Sequence, residues 1–272
     1  MLNPKTRDVE QFRSYGVSRY KDLDSFLSKP IKQGLSSIME TNRWFDLFYQ
    51  DRGSKVTFVV FPAAVPASFD TYPFFTSRMM AENLGANYLC FADPATGGNE
   101  GLSTFWYLNT RRVRTQVLVP AVISHAVNSG SGEKLLFFGS SAGGFGALLY
   151  SSMFERSSCL VMNPRIDLLA KPLWFDKYAS TVYPGWDTVK LREKLPTNVA
   201  RFYDSPPGNR VIYLQNTQDS NYFLNHYPQF YAATSGQVNV EFVLGEWGNG
   251  HVVPPRTEYI PRLRKEIRRL QK

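Results

Sequence analysis

Two adjacent serines lie among glycines in the segment GSSAGG, and the second of them is a candidate nucleophile. The spacing Gly139-x-Ser141-x-Gly143 follows the apolar run KLLFF and precedes the apolar run FGALLY. Such a pattern is typical of a strand that turns sharply into a helix and exposes a serine hydroxyl at the turn. Glycines suit the turn because its backbone segments approach closely. The helix N-terminus offers free N–H groups to a developing negative charge. Ser140 is then the variable residue of the pattern.

A serine hydroxyl is a weak nucleophile until a base takes its proton, and the sequence offers a base and an acid in the required chain order. Asp219 follows the predicted strand RVIYLQN, and His251 lies in the Gly-rich loop after the predicted strand VNVEFVLG. His251 would activate Ser141 and then protonate the leaving group, and Asp219 would fix the imidazole tautomer. Asp167, which follows the earlier predicted strand SCLVMNP, is the rival acid.

Stabilisation of the oxyanion requires two backbone N–H donors close to the nucleophile. Ala142 directly follows the candidate nucleophile and is the expected first donor. The second donor should come from the loop after the predicted strand KVTFVVF, and Pro62 in that loop has no N–H. The sequence therefore predicts that Ala63 or Ala64 donates.

Apolar runs typical of buried strands alternate along the chain with helix-like segments. The predicted strands are 55–61, 87–94, 133–140, 158–164, 210–216 and 238–245. This alternation predicts an α/β fold with a mostly parallel central sheet and helices on both faces. The segment before residue 51 has no decisive periodicity. Because no Pro-, Gly- or Ser-rich linker and no internal repeat interrupts the chain, we expect one domain over 1–272.

The segment 165–210 departs from the alternation and is rich in aromatic residues. Its position predicts a cap over the site, and the alternative is a decoration packed on the sheet. Trp106 and Tyr107, in STFWYLNT, follow a predicted strand and are candidate substrate-binding residues, since aromatic faces suit sugar rings. For this pair the alternative is packing in the core.

Composition excludes several classes of protein. The 272 residues are 43% hydrophobic and 20% charged, which indicates a globular chain. The net charge of +8, partly carried by the segment PRLRKEIRRLQK, favours an anionic partner or an exposed helix face. The sequence contains no nucleic-acid-binding motif, and no apolar stretch reaches the ~20 residues of a membrane span. We expect a cytoplasmic protein without a transmembrane segment.

Histidine and cysteine usage argues against a metal site. The three histidines are far apart, and His125 and His226 fall in predicted helices, where we interpret them as surface or packing residues. Cys90 and Cys159 lie in apolar runs and are expected to be buried thiols.

The strings FFGSSAGGFGALL, QNTQDSNYF and GNGHVVP together resemble the α/β-hydrolase superfamily from about residue 55 to the C-terminus. GSSAGGFGALL and VMNP, with FADP and WYLN upstream, are more narrowly similar to a bacterial group that includes capsule O-acetyltransferases. In that group the matching residues carry an acetyl group from acetyl-CoA to a sugar hydroxyl, which implies that role for Ser141, Asp219 and His251. One departure is FPAAVP, because many relatives have a glycine near Ala63.

The expected function is serine-dependent acyl transfer through an acyl-enzyme, with O-acetyl transfer to a carbohydrate, or its removal, as the leading reaction. No bound cofactor is expected, acetyl-CoA is a candidate co-substrate, and a carbohydrate polymer is a candidate partner. A small-molecule or lipid carboxylesterase is the first alternative. The second is a non-catalytic partner in polysaccharide or protein export, which would be free to lose any of the three residues.

Overall fold

The computed structural model describes residues 5–97 and 102–272. Its strands are β1 (Thr6–Arg7), β2 (Val17–Tyr20), β3 (Gly34–Glu40), β4 (Arg43–Gln50), β5 (Val56–Phe61), β6 (Thr71–Tyr72), β7 (Asn87–Phe91), β8 (Lys134–Ser140), β9 (Ser158–Met162), β10 (Arg210–Asn216) and β11 (Val240–Gly245). Its α-helices are α1 (Leu23–Leu27), α2 (Arg78–Asn83), α3 (Thr115–Ser129), α4 (Ser141–Ser151), α5 (Pro172–Val182), α6 (Thr188–Lys194), α7 (Ser220–Asn225), α8 (Tyr227–Ala233) and α9 (Arg256–Leu270).

A nine-stranded sheet organises the molecule, in the order β11-β10-β9-β8-β5-β7-β4-β3-β2. The pairs β3–β4 and β4–β7 are antiparallel, and the other neighbours are parallel. The predicted mixed α/β fold with a mostly parallel sheet is therefore confirmed. The N-terminal segment without clear periodicity supplies β2, β3 and β4, which extend the sheet on one side.

Apolar side chains cover both faces of the sheet. Along β5, Val59 and Phe61 join the cluster that contains residues of α3 and α4. Phe58 and Val60 join the opposite cluster, which contains residues of α2 and α9. Strands buried on both faces read as unbroken apolar runs, which explains why β5, β8 and β9 were visible in the sequence.

A proline divides the predicted helical segment around His226 into two helices. The segment 221–234 forms two helices, α7 and α8, which meet at His226. Pro228, near the start of α8, has no N–H for a continuous helix, and its ring would clash with an earlier carbonyl. Pro120, in contrast, lies inside the single helix α3, and Pro261 lies inside α9.

The segment 165–210 joins β9 to β10 and contains α5 and α6 with two 3-10 turns, Leu168–Ala170 and Val199–Tyr203. Phe175, Leu191 and Val199 belong to the same core cluster as α4. Trp174 and Trp186 are exposed on its outer side. The segment is therefore packed against the face of the sheet that carries α4 and also presents aromatic rings to solvent.

The cysteine side chains are buried, and the helices are short or polar. Cys90 and Cys159 are free, buried thiols on β7 and β9, as predicted. No helix in the described residues is both long enough and apolar enough to span a membrane.

We predict that Gly143→Ala destabilises the protein because α4 lies against the end of β5 at this point. A Cβ atom on Gly143 would lie 2.0 Å from the carbonyl oxygen of Phe61 and 2.6 Å from that of Pro62. Both obstacles are backbone atoms, so the helix must move, and we expect a loss of about 3 kcal/mol in denaturant unfolding.

Gly236→Ala is the matched control. Its φ is +80° but no atom lies within 4 Å of the added Cβ, so only backbone strain of about 1–2 kcal/mol should appear. Equal losses in the two variants would contradict the proposed contact.

Candidate active site

The β8–α4 turn presents Ser141 at the carboxyl edge of the sheet. Ser141 is the first residue of α4 and has a φ of +52°, which is uncommon for a residue other than glycine. A Cβ atom on Gly139 would lie 2.2 Å from the carbonyl oxygen of Gly143, so the turn is tight at its base as well. Strained residues of this kind concentrate at functional sites.

Asp219 and His251 meet beside this turn. Nδ1 of His251 donates to Oδ2 of Asp219, while Oδ1 of Asp219 accepts the backbone N–H of Tyr222 and so caps α7. The Asp219 side chain is 5% exposed and that of His251 is 38% exposed. A carboxylate at Nδ1 favours the tautomer whose Nε2 is free to accept a proton.

Asp167, the rival acid, has other partners. Its carboxylate accepts the backbone N–H of Leu169 at 2.8 Å, where it caps a 3-10 turn, and its backbone forms a bridge with Asn198. Among the described residues it makes no hydrogen bond to His251.

Two buried asparagines hold the loop that carries His251, and sequence reasoning missed both. Asn216, the last residue of β10, donates through Nδ2 to the carbonyls of Gly248 and Gly250, at 2.7 and 2.9 Å. Asn163, directly after β9, accepts the N–H of Asn216 at 2.7 Å and donates to the carbonyl of Val252 at 2.7 Å. The only sequence signal was an asparagine at each strand end, in VMN and LQN.

Tyr222 is a further residue at the site that the sequence did not identify. Its hydroxyl lies 3.2 Å from Oγ of Ser141, and its ring stacks on the His251 imidazole at a centroid distance of 4.0 Å. The hydroxyl of Ser141 is therefore paired with a tyrosine in this state. Among the described residues, Ser141 Oγ makes no hydrogen bond to His251. Catalytic hydrogen bonds commonly tighten only when a substrate binds.

Arg165 was also missed, and it lies next to Tyr222. Its backbone N–H donates to the carbonyl of Ser141 at 3.0 Å. Its Nη2 donates to the hydroxyl of Tyr222 at 3.3 Å, and its guanidinium lies 5.4 Å from the Tyr222 ring centroid and 5.9 Å from that of Trp106. The sequence placed Arg165 only at the boundary of the aromatic segment.

The predicted oxyanion donors lie on the other side of Ser141. Ala142 is in the first turn of α4, where backbone N–H groups have no partner within the helix. Ala63 is partly buried and Ala64 is exposed, and neither N–H donates to another described residue. Two hydrogen bonds hold the loop that contains Ala63 and Ala64. The Tyr107 hydroxyl donates to the Pro62 carbonyl at 2.6 Å, and the Val65 N–H donates to the Ser103 carbonyl.

A buried carboxylate shapes the loop of Trp106 and Tyr107. Oδ2 of Asp93 accepts the N–H groups of Phe105 and Tyr107, at 2.6 and 3.2 Å, and burial raises the pKa of Asp93. In this loop, Trp106 and Tyr107 have φ values of +54° and +60°. Tyr107 is 1% exposed and contacts the loop after β5. Trp106 is 4% exposed and packs on Tyr178 of α5, at 5.3 Å between centroids.

The remaining histidines have structural contacts. Nε2 of His125 is hydrogen-bonded to the carbonyl of Lys29 at 2.8 Å. His226 is buried at the junction of α7 and α8, where its ring packs on Tyr222 at 4.8 Å between centroids. Burial, and then the positive charge of Arg165, lowers the pKa of His226 to about 3. It is therefore a neutral packing residue beneath the site.

Comparisons with known proteins identify the fold. No protein-family model and no curated protein matches the sequence. Among solved structures, the capsule O-acetyltransferase of Neisseria meningitidis serogroup A aligns with a TM-score of 0.63 and 16% identity, over 89% of this chain and 96% of that one. A mutant of that enzyme has been solved in complex with CoA.

Two esterases also align. The esterase Pf2001 of Pyrococcus furiosus has a TM-score of 0.58 and 18% identity, over 99% of this chain and 97% of that one. A lipase/esterase from Lactobacillus plantarum has a TM-score of 0.57 and 10% identity, over 88% and 98%. At these identities the likeness shows a shared α/β-hydrolase-like fold.

We predict that His226 makes the protein less stable in acid. Its folded pKa of about 3 lies below the ordinary value of 6.5, so the unfolded chain binds more protons between those two pH values. The free energy of unfolding should therefore fall as pH drops from 6.5 towards 3, by up to ~1.4 kcal/mol per pH unit from this residue.

Urea unfolding across that pH range measures the effect. His226→Gln should have a shallower dependence on pH than the wild type. An unchanged slope in His226→Gln would refute the assignment of a buried neutral imidazole.

Proposed function

We propose that this protein is a serine-dependent acyl-transfer enzyme that forms an acyl-enzyme on Ser141. The observation that carries the proposal is the Asp219–His251 hydrogen bond beside a serine at a strained strand-to-helix turn. A nucleophile, a base and an orienting acid that follow β8, β11 and β10 of one sheet match the requirements of acyl transfer. The fold shared with esterases and an O-acetyltransferase is compatible with this chemistry.

In the proposed reaction, Nε2 of His251 takes the proton from Oγ of Ser141 as that oxygen attacks an ester or thioester carbonyl. The oxyanion accepts hydrogen bonds from the N–H of Ala142 and from that of Ala63 or Ala64. His251 returns the proton to the leaving group. Water or a sugar hydroxyl then attacks the acyl-enzyme, with His251 again as the base.

We further propose that the acyl group is acetyl and that the second substrate is a carbohydrate. The neighbouring structure with this activity is a capsule O-acetyltransferase, and a mutant of it binds CoA, so acetyl-CoA is the candidate donor here. The segment 165–210 would act as a cap, with Trp106 on its inner side and Trp174 and Trp186 exposed for contact with sugar rings. The net charge of +8 favours anionic substrates, and a cytoplasmic location would supply CoA.

An esterase for longer acyl chains is the second candidate, and one cavity favours it. About 260 Å³ of space lies beside the loop of Ala63 and Ala64, with apolar walls from Phe74, Met80 and Met162. Such a cavity could hold several methylene groups next to the predicted oxyanion donors.

Ser141 should be the residue labelled by a fluorophosphonate probe. We expect labelling of the wild type and of Ser140→Ala, which removes only the neighbouring hydroxyl, and no labelling of Ser141→Ala. Peptide mass spectrometry would locate the adduct. An unlabelled wild type, or labelling that persists in Ser141→Ala, would refute the proposed nucleophile and favour the non-catalytic alternative or another serine.

The same assay tests the acid. Asp219→Asn should slow labelling by orders of magnitude, since asparagine favours the wrong imidazole tautomer and the equivalent change in the best-studied triad lowers kcat about 10⁴-fold. Asp167→Asn should label at nearly the wild-type rate. The reverse ranking would move the acid to the end of β9.

A chain-length series separates the two candidate functions. With p-nitrophenyl esters from two to twelve carbons, we expect the highest kcat/KM at acetyl. Acetyl-CoA should be consumed faster when a polysaccharide acceptor is present, because the acceptor removes the acetyl group from the acyl-enzyme. A preference for chains of about eight or more carbons would instead favour the esterase.

A further inference from the structure

Arg165 lies at the candidate site, and the described residues provide no counter-ion for it. Its guanidinium is partly buried and contacts two aromatic rings and one hydroxyl, those of Trp106 and Tyr222. No carboxylate lies within 4.0 Å of it in the part of the chain that the structure describes. Arginine is seldom buried without a paired charge, and a guanidinium forms its strongest hydrogen bonds with carboxylate and phosphate groups.

The charge of Arg165 also acts on a neighbouring histidine. After burial, Arg165 is the largest contribution to the lowered pKa of His226, ahead of His251 and Lys171. The guanidinium therefore acts as a positive charge close to His226 and Tyr222, and an anion bound beside it would be stabilised.

Sheet order decides which part of a substrate would meet Arg165. β5, with the loop of Ala63 and Ala64, lies on one side of β8, and β9, β10 and β11 lie on the other. Arg165, Tyr222 and His251 follow β9, β10 and β11 in turn. The carbonyl oxygen of the acyl group would point to the side of β5, where the loop of Ala63 and Ala64 lies. The leaving group and the entering acceptor must contact His251, and so they occupy the side of Arg165.

We propose that Arg165 and Tyr222 form a subsite for an oxyanion, a carboxylate or phosphate, carried by the leaving group or by the acceptor. This inference rests on the proposed function and specifies its substrate. The planar guanidinium binds such a group through two parallel hydrogen bonds. The Tyr222 hydroxyl, now 3.2 Å from Ser141 Oγ, would turn to the anion and release Ser141 to His251.

Two matched pairs of substrates test the subsite and locate the anion. Glucuronate and glucose, as acceptors for the acyl-enzyme formed from p-nitrophenyl acetate, differ in one carboxylate. S-Acetyl-4′-phosphopantetheine and S-acetyl-pantetheine, as donors, differ in one phosphate. We expect at least one anionic member to be preferred in kcat/KM by about tenfold, the magnitude of one charge-assisted hydrogen-bond contact. The pair that shows the preference identifies the molecule that carries the anion.

Arg165→Gln should remove that preference. Arg165→Lys keeps the charge but cannot form the two parallel hydrogen bonds, so it should retain part of the preference. Arg268→Gln is the control, since Arg268 is exposed on α9 and the change in net charge is the same. Circular dichroism would verify folding. A wild type without any preference, or a preference that survives in Arg165→Gln, would overturn the subsite.

A binding measurement separates this inference from the proposed function. Calorimetry with glucuronate and with CoA on Ser141→Ala should show binding of at least one of them, weakened about tenfold in Ser141→Ala/Arg165→Gln. Binding unaffected by the second substitution overturns the subsite. Fluorophosphonate labelling of Ser141 in the wild type, measured in parallel, reports on the proposed function alone.

Discussion

The contact between Gly143 and the carbonyl of Phe61 sets how closely α4 lies against the sheet. Because no side chain separates the two backbones, the first turn of the helix meets the end of β5 directly. Ser141 is thereby fixed at the carboxyl edge between two neighbouring strands. The same close approach places the first turn of α4 beside Pro62, in the loop that continues to Ala63 and Ala64.

Hydrogen bonds of buried carboxylate and amide side chains fix the position of His251 beside this turn. One oxygen of Asp219 caps the helix that carries Tyr222, and the other holds His251. The side chains of Asn163 and Asn216 bind carbonyls of the loop around that histidine. Buried polar groups that are fully paired favour a single conformation, so the exposed imidazole rests on a rigid base although its loop lacks regular structure.

Much of this arrangement could be predicted from the sequence, because it depends on local patterns. The apolar runs of β5, β8 and β9 are continuous, and the glycine spacing at Ser141 identifies a tight turn. Residues whose role depends on which strands are neighbours were not predictable. Tyr222 and Arg165 stand 57 positions apart, and only the β9–β10 pairing brings them together. The role of Asp93 was equally hidden, since it depends on N–H groups more than ten residues away.

The crossover from β9 to β10 has a consequence for how this chain can diversify. Parallel pairing of these strands runs from Ser158–Arg210 to Met162–Leu214. A parallel crossover needs only a dozen or more residues, and the one here is much longer because it carries α5, α6 and their aromatic rings. Homologous chains could exchange that excess length for segments of other composition. Such an exchange would alter the surface beside Ser141 and leave the strand ends in register.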